Sequence, residues 1–154
     1  MKGNVFTEFL ELVEEEFSQE VADDIVDESD LRSGGAYTAV GTYDHGELVA
    51  LVGKLSEKTG IPLSDLIGTF GRYLFTRFYA LYPVFFEGVT GCFDFLETIE
   101  DYVHVEVRKL YPDAELPTFQ TERLGPDSLV MIYASRRPFA DLAHALIEGA
   151  VAHW

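Results

Sequence analysis

Residues 118–137, TFQTERLGPDSLVMIYASRR, decide the fold class of this chain. The run Thr118–Leu124 and the β-rich run Leu129–Tyr133 flank a turn at residues 124–127, Leu-Gly-Pro-Asp, and this arrangement predicts a β-hairpin. Helical patterns precede the hairpin and follow it. We therefore predict an α+β fold, in which a mainly helical body is followed by a small antiparallel sheet and a closing helix.

The first half of the chain has the three- and four-residue spacing of amphipathic helices. The first helix is predicted to bury Val5, Phe6, Phe9, Leu10, Val13 and Phe17. A short helix over Val21–Val26 and an extended stretch over Tyr37–Tyr43 are predicted next. Asp44, with Glu47 three residues later, predicts the capped start of another helix, which Gly60 ends.

Prolines and small residues predict the remaining helix boundaries. A mostly buried helix is predicted after Pro62, and a long helix capped by Thr90 is predicted to reach Leu110, before Pro112. Pro138 is predicted to be the first residue of the last helix.

Composition narrows the class of protein. A length of 154 residues and a hydrophobic content of 47% fit one folded domain. The formal net charge of -16, from 11 Lys and Arg against 27 Asp and Glu, disfavours nucleic acid and anionic membranes as partners. A single cysteine, Cys92, cannot form an internal disulfide or a cysteine-rich metal site. Since no signal peptide or membrane-spanning run is recognisable, we expect a cytoplasmic protein.

The sequence lacks the common catalytic motifs. It has no glycine-rich phosphate loop, no His-Glu-x-x-His pair and no Gly-x-Ser-x-Gly elbow. Among the four histidines, only His104 lies among apolar residues of a long predicted helix. A lone histidine in that setting is more often a hydrogen-bonded structural residue than a ligand, so its role depends on what accompanies it.

One chemistry that needs a single histidine is haem binding, because the porphyrin supplies the other in-plane ligands of the iron. Haem also needs an apolar slot and donors at its edge for two propionates. Aromatic-rich helices precede His104, and Tyr133, Ser135 and Arg137 lie on one face of an extended segment because side chains alternate there. The pattern is compatible with a haem site, and equally with an ordinary strand end.

Short motifs along the whole chain match one known family. They are Met1-Lys2-Gly3, Lys58-Thr59-Gly60, Phe70-Gly71-Arg72, Leu110-Tyr111-Pro112 after His104, Pro117, and Tyr133-x-Ser135-x-Arg137. With these motifs the chain resembles the haem nitric oxide/oxygen binding (H-NOX) family, the bacterial relatives of the haem domain of soluble guanylate cyclase. The resemblance implies a pocket for haem b, iron protoporphyrin IX, between the helical body and the sheet.

The resemblance also assigns roles to residues. It implies that His104 is the proximal iron ligand and that Tyr133, Ser135 and Arg137 bind the haem propionates. It implies that Pro117 and Val5 press on the porphyrin and distort it, and the remaining haem contacts that it implies are Phe9, Leu74, Phe78 and Leu142.

The residues expected on the side of the haem away from His104, the distal side, affect which gas is bound. Oxygen-binding members of the family carry a tyrosine five residues after the motif arginine, and Leu142 stands at that position here. The positions that would support such a tyrosine match Phe9 and Leu74, which are also apolar. Because bound dioxygen gains from a hydrogen bond and nitric oxide binds ferrous haem without one, the resemblance implies a nitric oxide sensor, also able to bind carbon monoxide, that disfavours oxygen.

The resemblance further implies a signalling role without catalysis. Nitric oxide bound opposite His104 is expected to weaken or break the bond between iron and His104, which shifts the domain between two packings. Family members are commonly encoded beside a histidine kinase or a diguanylate cyclase, so one of these enzymes is the expected partner in trans.

Two other classes of function stay open at this stage. A haem enzyme such as a peroxidase would need a distal proton carrier, and His144 keeps that alternative available. A haem-free module could use the apolar pocket for another ligand. A Soret band that is lost on changing His104 would exclude the haem-free module.

The end of the chain carries a further expectation. We expect residues 1–154 to form one haem-binding domain that lacks the last C-terminal strands of the family, because the chain ends at Trp154. A hairpin with less support could retain haem less well.

Overall fold

The computed structural model describes residues 1–154 and confirms a mainly helical fold with one small antiparallel sheet. The helices are α1 Gly3–Glu16, α2 Gln19–Asp27, α3 His45–Thr59, α4 Leu63–Leu81, α5 Cys92–Thr98, α6 His104–Leu110 and α7 Ala140–His153. A short 3₁₀ turn spans Pro83–Phe86 and a π turn spans Ile99–Val103. The strands are β1 Thr118–Gly125 and β2 Ser128–Ala134. None of the helices is long and apolar enough to cross a membrane.

Helix α1 is held at its first turn by the loop that precedes α3. The Gly3 amide donates to the Gly41 carbonyl at 2.8 Å, and the Asn4 amide donates to the Ala39 carbonyl at 3.0 Å. A Cβ on Gly3 would lie 1.8 Å from the Thr38 carbonyl oxygen, so only glycine fits this close approach. The prediction that Phe17 is buried with the rest of the α1 face was wrong, because the helix ends at Glu16 and Phe17 is 38% exposed.

The loop before α3 is irregular rather than extended. Its only ladder contact is an isolated bridge between Lys2 and Thr42, and a turn at residues 39–40 interrupts the extended stretch that was predicted over Tyr37–Tyr43. Aromatic packing holds the loop instead, since the Tyr37 ring stacks on the Phe6 ring with centroids 4.5 Å apart.

Helix α3 begins and ends where the sequence predicted, but its cap uses one side chain only. The Asp44 carboxylate accepts from the Gly46 amide at 2.8 Å, and Gly60 ends the helix with a φ of 71°. Glu47 does not return to the cap. Its buried carboxylate accepts from the Ser33 amide, the Ser33 hydroxyl and the Tyr37 hydroxyl, and so it holds the loop before α3.

The predicted long helix over Cys92–Leu110 is helical throughout, but it is not uniform. The π turn separates α5 from α6, and the His104 amide bonds to the Ile99 carbonyl across it. The predicted cap at Thr90 is wrong, because Gly91 takes the cap position and the Thr90 hydroxyl donates to Asp94 instead. π turns insert one extra residue into a helix and are frequent at functional sites.

The hairpin has the predicted place and an antiparallel register that pairs Phe119 with Tyr133. Side chains alternate between the two faces of β2, and Leu129, Met131 and Tyr133 lie on its less exposed face. Helix α7 starts at Ala140 with Phe139 at its cap, so the prediction of Pro138 as the first helical residue was wrong by two positions.

Helices α4 and α7 pack closely along a seam of small residues. A Cβ on Gly71 would lie 2.4 Å from the Ala145 Cβ, and one on Gly149 would lie 2.7 Å from the Phe75 Cβ. One apolar core joins α1 to α4, and a smaller one joins Phe75, Phe95, Leu96 and Ala150. The functional site lies where these two cores meet.

Candidate functional site

A cavity of about 340 Å³ lies between the helices and the hairpin. Its lining residues come from the start of α1, from α4 and α7, and from the π turn, α6 and the segment leading to β1. Of its 34 lining residues 25 are hydrophobic. Pockets of this size and character bind small molecules and cofactors, with a few polar groups to orient them.

His104 lines this cavity at the first position of α6 and is 9% exposed. Burial lowers the pKa of His104, and this effect outweighs the opposing influence of Glu100, so the imidazole is neutral near pH 7. Its Nδ1 lies 3.1 Å from the Glu100 carboxylate. Nε2 has no hydrogen-bond partner and is the nitrogen that remains for a metal ion.

Glu100, in the π turn, is a site residue that the sequence analysis missed. Its carboxylate accepts from His104 Nδ1, from the Phe119 amide and from Arg108. Burial by itself raises the pKa of Glu100, but Arg108, the Phe119 amide and His104 together lower it more. An ionised carboxylate only accepts hydrogen bonds, so Nδ1 carries the proton. Glu100 precedes His104 by four residues, and this spacing places two side chains side by side on a helix, so the sequence did contain a signal for the contact.

The three polar residues of the Tyr-x-Ser-x-Arg motif all line the cavity, at the end of β2 and just after it. Arg137 is 17% exposed, and its guanidinium donates to Glu115 Oε2 at 2.7 Å. The Ser135 hydroxyl accepts from the Arg137 amide at 3.0 Å. The Tyr133 hydroxyl has no partner in the chain, and its ring lies 5.6 Å from the Phe119 ring. These donors therefore stand at one mouth of the cavity.

Of the remaining predicted residues, all but one line the cavity. Those that do are Pro117, Val5, Leu74, Phe78 and Leu142. Phe9 does not: it is 1% exposed and lies in the core behind the cavity wall, with its ring 5.2 Å from the Phe70 ring. The spacing of apolar residues predicts that Phe9 lies on the buried face of α1. It does not predict whether Phe9 contacts the cavity or, as here, Phe70 in the core.

Two polar residues on the wall were also missed. Asn4 and Tyr82 both line the cavity, and Asn4 Nδ2 donates to the Tyr82 hydroxyl at 3.2 Å. The pair bridges the start of α1 and the end of α4. Since the hydroxyl acts as acceptor in this bond, its own hydrogen remains available for a second partner.

Comparison with known proteins identifies the family. A family model described as Haem-NO-binding matches residues 2–154. The chain belongs to the H-NOX family. No protein of curated function is significantly similar to it.

Solved H-NOX structures have the same fold. The Fe(II) unliganded H-NOX protein from K. algicida is 41% identical, with a TM-score of 0.92 over 99% of this chain and 83% of the other. The IWP-051-bound H-NOX from Shewanella woodyi, in the Fe(II)CO state, is 43% identical, with a TM-score of 0.86 over 99% and 80%. An H-NOX protein from S. oneidensis in the Fe(II)NO state is 24% identical and shares the fold, with a TM-score of 0.91 over 99% and 84%.

Membership of the H-NOX family implies haem binding, and the residues present fit that cofactor. The cavity is apolar, a neutral imidazole with a free Nε2 lies in its wall, and a guanidinium stands at its mouth. These are the three requirements of a haem with one protein ligand and two propionates.

The histidine that kept the peroxidase alternative open lies elsewhere. The His144 side chain is 75% exposed on α7, lies 3.7 Å from Glu148 and does not line the H-NOX cavity. It belongs to a separate polar surface groove with Asp65, Arg72 and Asp141. H-NOX domains are gas-sensing domains rather than catalytic ones.

Proposed function

We propose that residues 1–154 form a single haem b domain that senses nitric oxide, also binds carbon monoxide, and controls a histidine kinase or a diguanylate cyclase in trans. When bound, the haem supplies an iron atom with an open position for a diatomic gas. The observation that carries the proposal is the state of His104: neutral, buried in the cavity wall, held through Nδ1 and free at Nε2.

The cofactor would be held from three directions. His104 would bind the iron through Nε2, while Arg137, Ser135 and Tyr133 would donate to the propionates at the mouth. Pro117 and Val5 would press on the cofactor from the cavity wall. In support, all six residues line the same cavity and come from four separate parts of the fold.

The proposed preference for nitric oxide rests on the apolar residues Leu142 of α7 and Leu74 of α4 in the cavity wall. Neither can donate to a polarised ligand, and bound dioxygen is the ligand that needs a donor. The Tyr82 hydroxyl, just after the end of α4, is a cavity-lining group that could offer a donor, and it already accepts from Asn4 Nδ2. Solved relatives in Fe(II)NO and Fe(II)CO states support these two gases as ligands.

Signalling would begin at the proximal side. Release of His104 from the cofactor would let the segment around it move, and Pro117 and Val5, which line the same cavity, would then press less strongly on the cofactor. Binding of the gas then shifts the population between two packings of the domain. A change of this kind at the surface of α6 and the hairpin is what a partner enzyme would detect.

Absorption spectra of the ferrous protein alone, under carbon monoxide, under nitric oxide and in air test the proposal. We expect a Soret band in every sample, distinct carbon monoxide and nitric oxide spectra, and no stable oxygen complex in air. A stable oxygen complex in the reduced protein would overturn the proposed selectivity. Absence of a Soret band after reconstitution would overturn the proposal as a whole.

A second experiment tests transmission. His104→Gly, reconstituted with haem and free imidazole, should hold the cofactor and yet leave the activity of the partner enzyme unresponsive to nitric oxide. A response of the same size as that of the unchanged protein would contradict the role given to His104.

A further inference from the structure

Glu100 connects three elements through one carboxylate. Oε2 accepts from His104 Nδ1 and from the Phe119 amide of β1, both at 3.1 Å, and Oε1 accepts from Arg108 at 3.0 Å. The carboxylate thus joins the ligand histidine, the next turn of α6 and the first strand of the hairpin. No other carboxylate in the chain hydrogen-bonds to a histidine of the cavity.

We propose that Glu100 is the positioning residue that sets the strength of the iron–His104 bond and couples the loss of that bond to the hairpin. The inference rests on the proposed function, since it requires His104 to bind iron. It adds a residue whose effect is exerted on His104 and not on the haem itself.

The first part follows from hydrogen-bond chemistry. A carboxylate that accepts from Nδ1–H fixes the ring orientation and makes Nε2 a stronger donor to a metal ion. The guanidinium of Arg108 draws part of the negative charge of Glu100 towards itself, and so it limits this effect. The two residues should therefore shift the iron–imidazole bond in opposite directions.

The second part follows from the position of Phe119. Its amide is held by the same oxygen that holds His104, its ring centroid lies 5.9 Å from the His104 ring, and it pairs with Tyr133 across the hairpin. A rotation of His104 must either break its hydrogen bond to Glu100 Oε2 or move the Glu100 carboxylate with it. The movement then reaches β1, which pairs with β2, the strand that contains Tyr133 of the propionate-binding motif.

Three variants separate charge from geometry. Glu100→Gln keeps an oxygen acceptor for His104 and Phe119 but removes the charge, Glu100→Ala removes both, and Arg108→Met leaves the charge of Glu100 uncompensated. Glu106→Gln is the matched control, because Glu106 lies on the same helix two residues after His104 and pairs only with Lys109.

The readout is the iron–histidine stretching frequency of the ferrous, gas-free protein, measured by resonance Raman. We expect a lower frequency in Glu100→Gln and a higher one in Arg108→Met, with no change in Glu106→Gln. Glu100→Ala should also bind haem about 10- to 100-fold more weakly, since removing a carboxylate partner from a metal-bound histidine lowers affinity by about that factor. A merely structural role would not move the frequency in opposite directions.

Hydrogen exchange at the Phe119 amide tests the coupling. In the unchanged protein, nitric oxide should speed this exchange, and in Glu100→Ala it should make no difference. An unshifted frequency in Glu100→Gln, or an equal nitric oxide effect on Phe119 in Glu100→Ala, would overturn the inference. An unchanged protein without any iron–histidine band would instead overturn the proposed function.

Discussion

Arg137 and Glu115 form an ion pair at the mouth of the cavity, with Nη2 and Oε2 2.7 Å apart. A second bond runs from Arg137 Nη1 to the Glu115 carbonyl at 3.4 Å. The Glu115 side chain is 74% exposed and free to turn towards solvent, whereas Arg137 is largely enclosed. Glu115 therefore occupies the guanidinium that a propionate of the proposed haem would need, and the two carboxylates would compete for it.

Glu115→Gln should make the protein retain haem longer. Removing the charge removes the competitor for Arg137, and exposed ion pairs are worth up to about 1 kcal/mol, so the dissociation rate should fall by up to about fivefold. Transfer of haem to apomyoglobin measures this rate. Arg137→Met is the opposing variant and should release haem faster; a Glu115→Gln protein that also releases it faster would contradict the competition.

Leu142→Tyr should allow the ferrous protein to form a stable complex with oxygen. The substitution puts a hydroxyl donor on the cavity wall of α7, in a chain position that is apolar here. Absorption spectra in air before and after reduction measure the complex. Tyr82→Phe is the control: if the unchanged protein bound oxygen and Tyr82→Phe did not, then Tyr82 would be the donor and Leu142 would not decide selectivity.

Gly3→Ala should destabilise the fold. The new Cβ would lie 1.8 Å from the Thr38 carbonyl oxygen, so the loop before α3 must move off the start of α1. Such overpacking costs about 1–3 kcal/mol. Gly53→Ala is the matched control, since a Cβ there meets nothing within 4 Å and should stabilise α3 by about 0.5–1 kcal/mol. Urea unfolding of both variants measures the difference, and equal stabilities would refute the argument.

Glu47→Gln should destabilise the protein near neutral pH and much less in acid. Burial raises the pKa of Glu47, but the Ser33 and Tyr37 donors together lower it more, and the net pKa is below the usual value. A lowered pKa contributes stability above the pKa of the unfolded chain, about 4.3, and loses it as pH falls through the folded value. We expect a loss of about 1–3 kcal/mol at pH 7.

Unfolding of Glu47→Gln and the unchanged protein across pH measures this effect. The difference between them should shrink steadily below about pH 5. Glu57→Gln, on the same helix but exposed, should leave stability almost unchanged at every pH. If the difference in the free energy of unfolding stayed constant down to acid pH, the charge of the Glu47 carboxylate would not contribute to stability.

Residues whose position depends on local spacing were predictable from the sequence. Tyr133, Ser135 and Arg137 all line the cavity, as alternation along an extended segment predicted, although β2 ends at Ala134 and a bend carries Arg137. His104 lies on a helix face at apolar spacing. Gly60 ends α3 because glycine adopts a left-handed backbone at little cost.

Residues whose role depends on contacts distant in sequence were not predictable. Glu47 has the spacing of a capping pair, and only the fold brings Ser33 and Tyr37 to it. Glu100 likewise needs the amide of Phe119, 19 residues away, before its importance is visible. The π turn that separates α5 from α6 leaves no mark in the pattern of apolar residues that a uniform helix would not also produce.

The seam between α4 and α7 limits where this domain can move. Gly71 and Gly149 let the two helices touch almost backbone to backbone, and any sliding would drive Ala145 or Phe75 into the opposite helix. Two helices in such contact behave as one rigid wall, because packed interfaces shift between discrete arrangements and do not deform smoothly. The proposed gas ligand would therefore bind beside a pair of helices that does not move. The conformational change of sensing would occur instead in the π turn and α6, where the helix changes register next to His104.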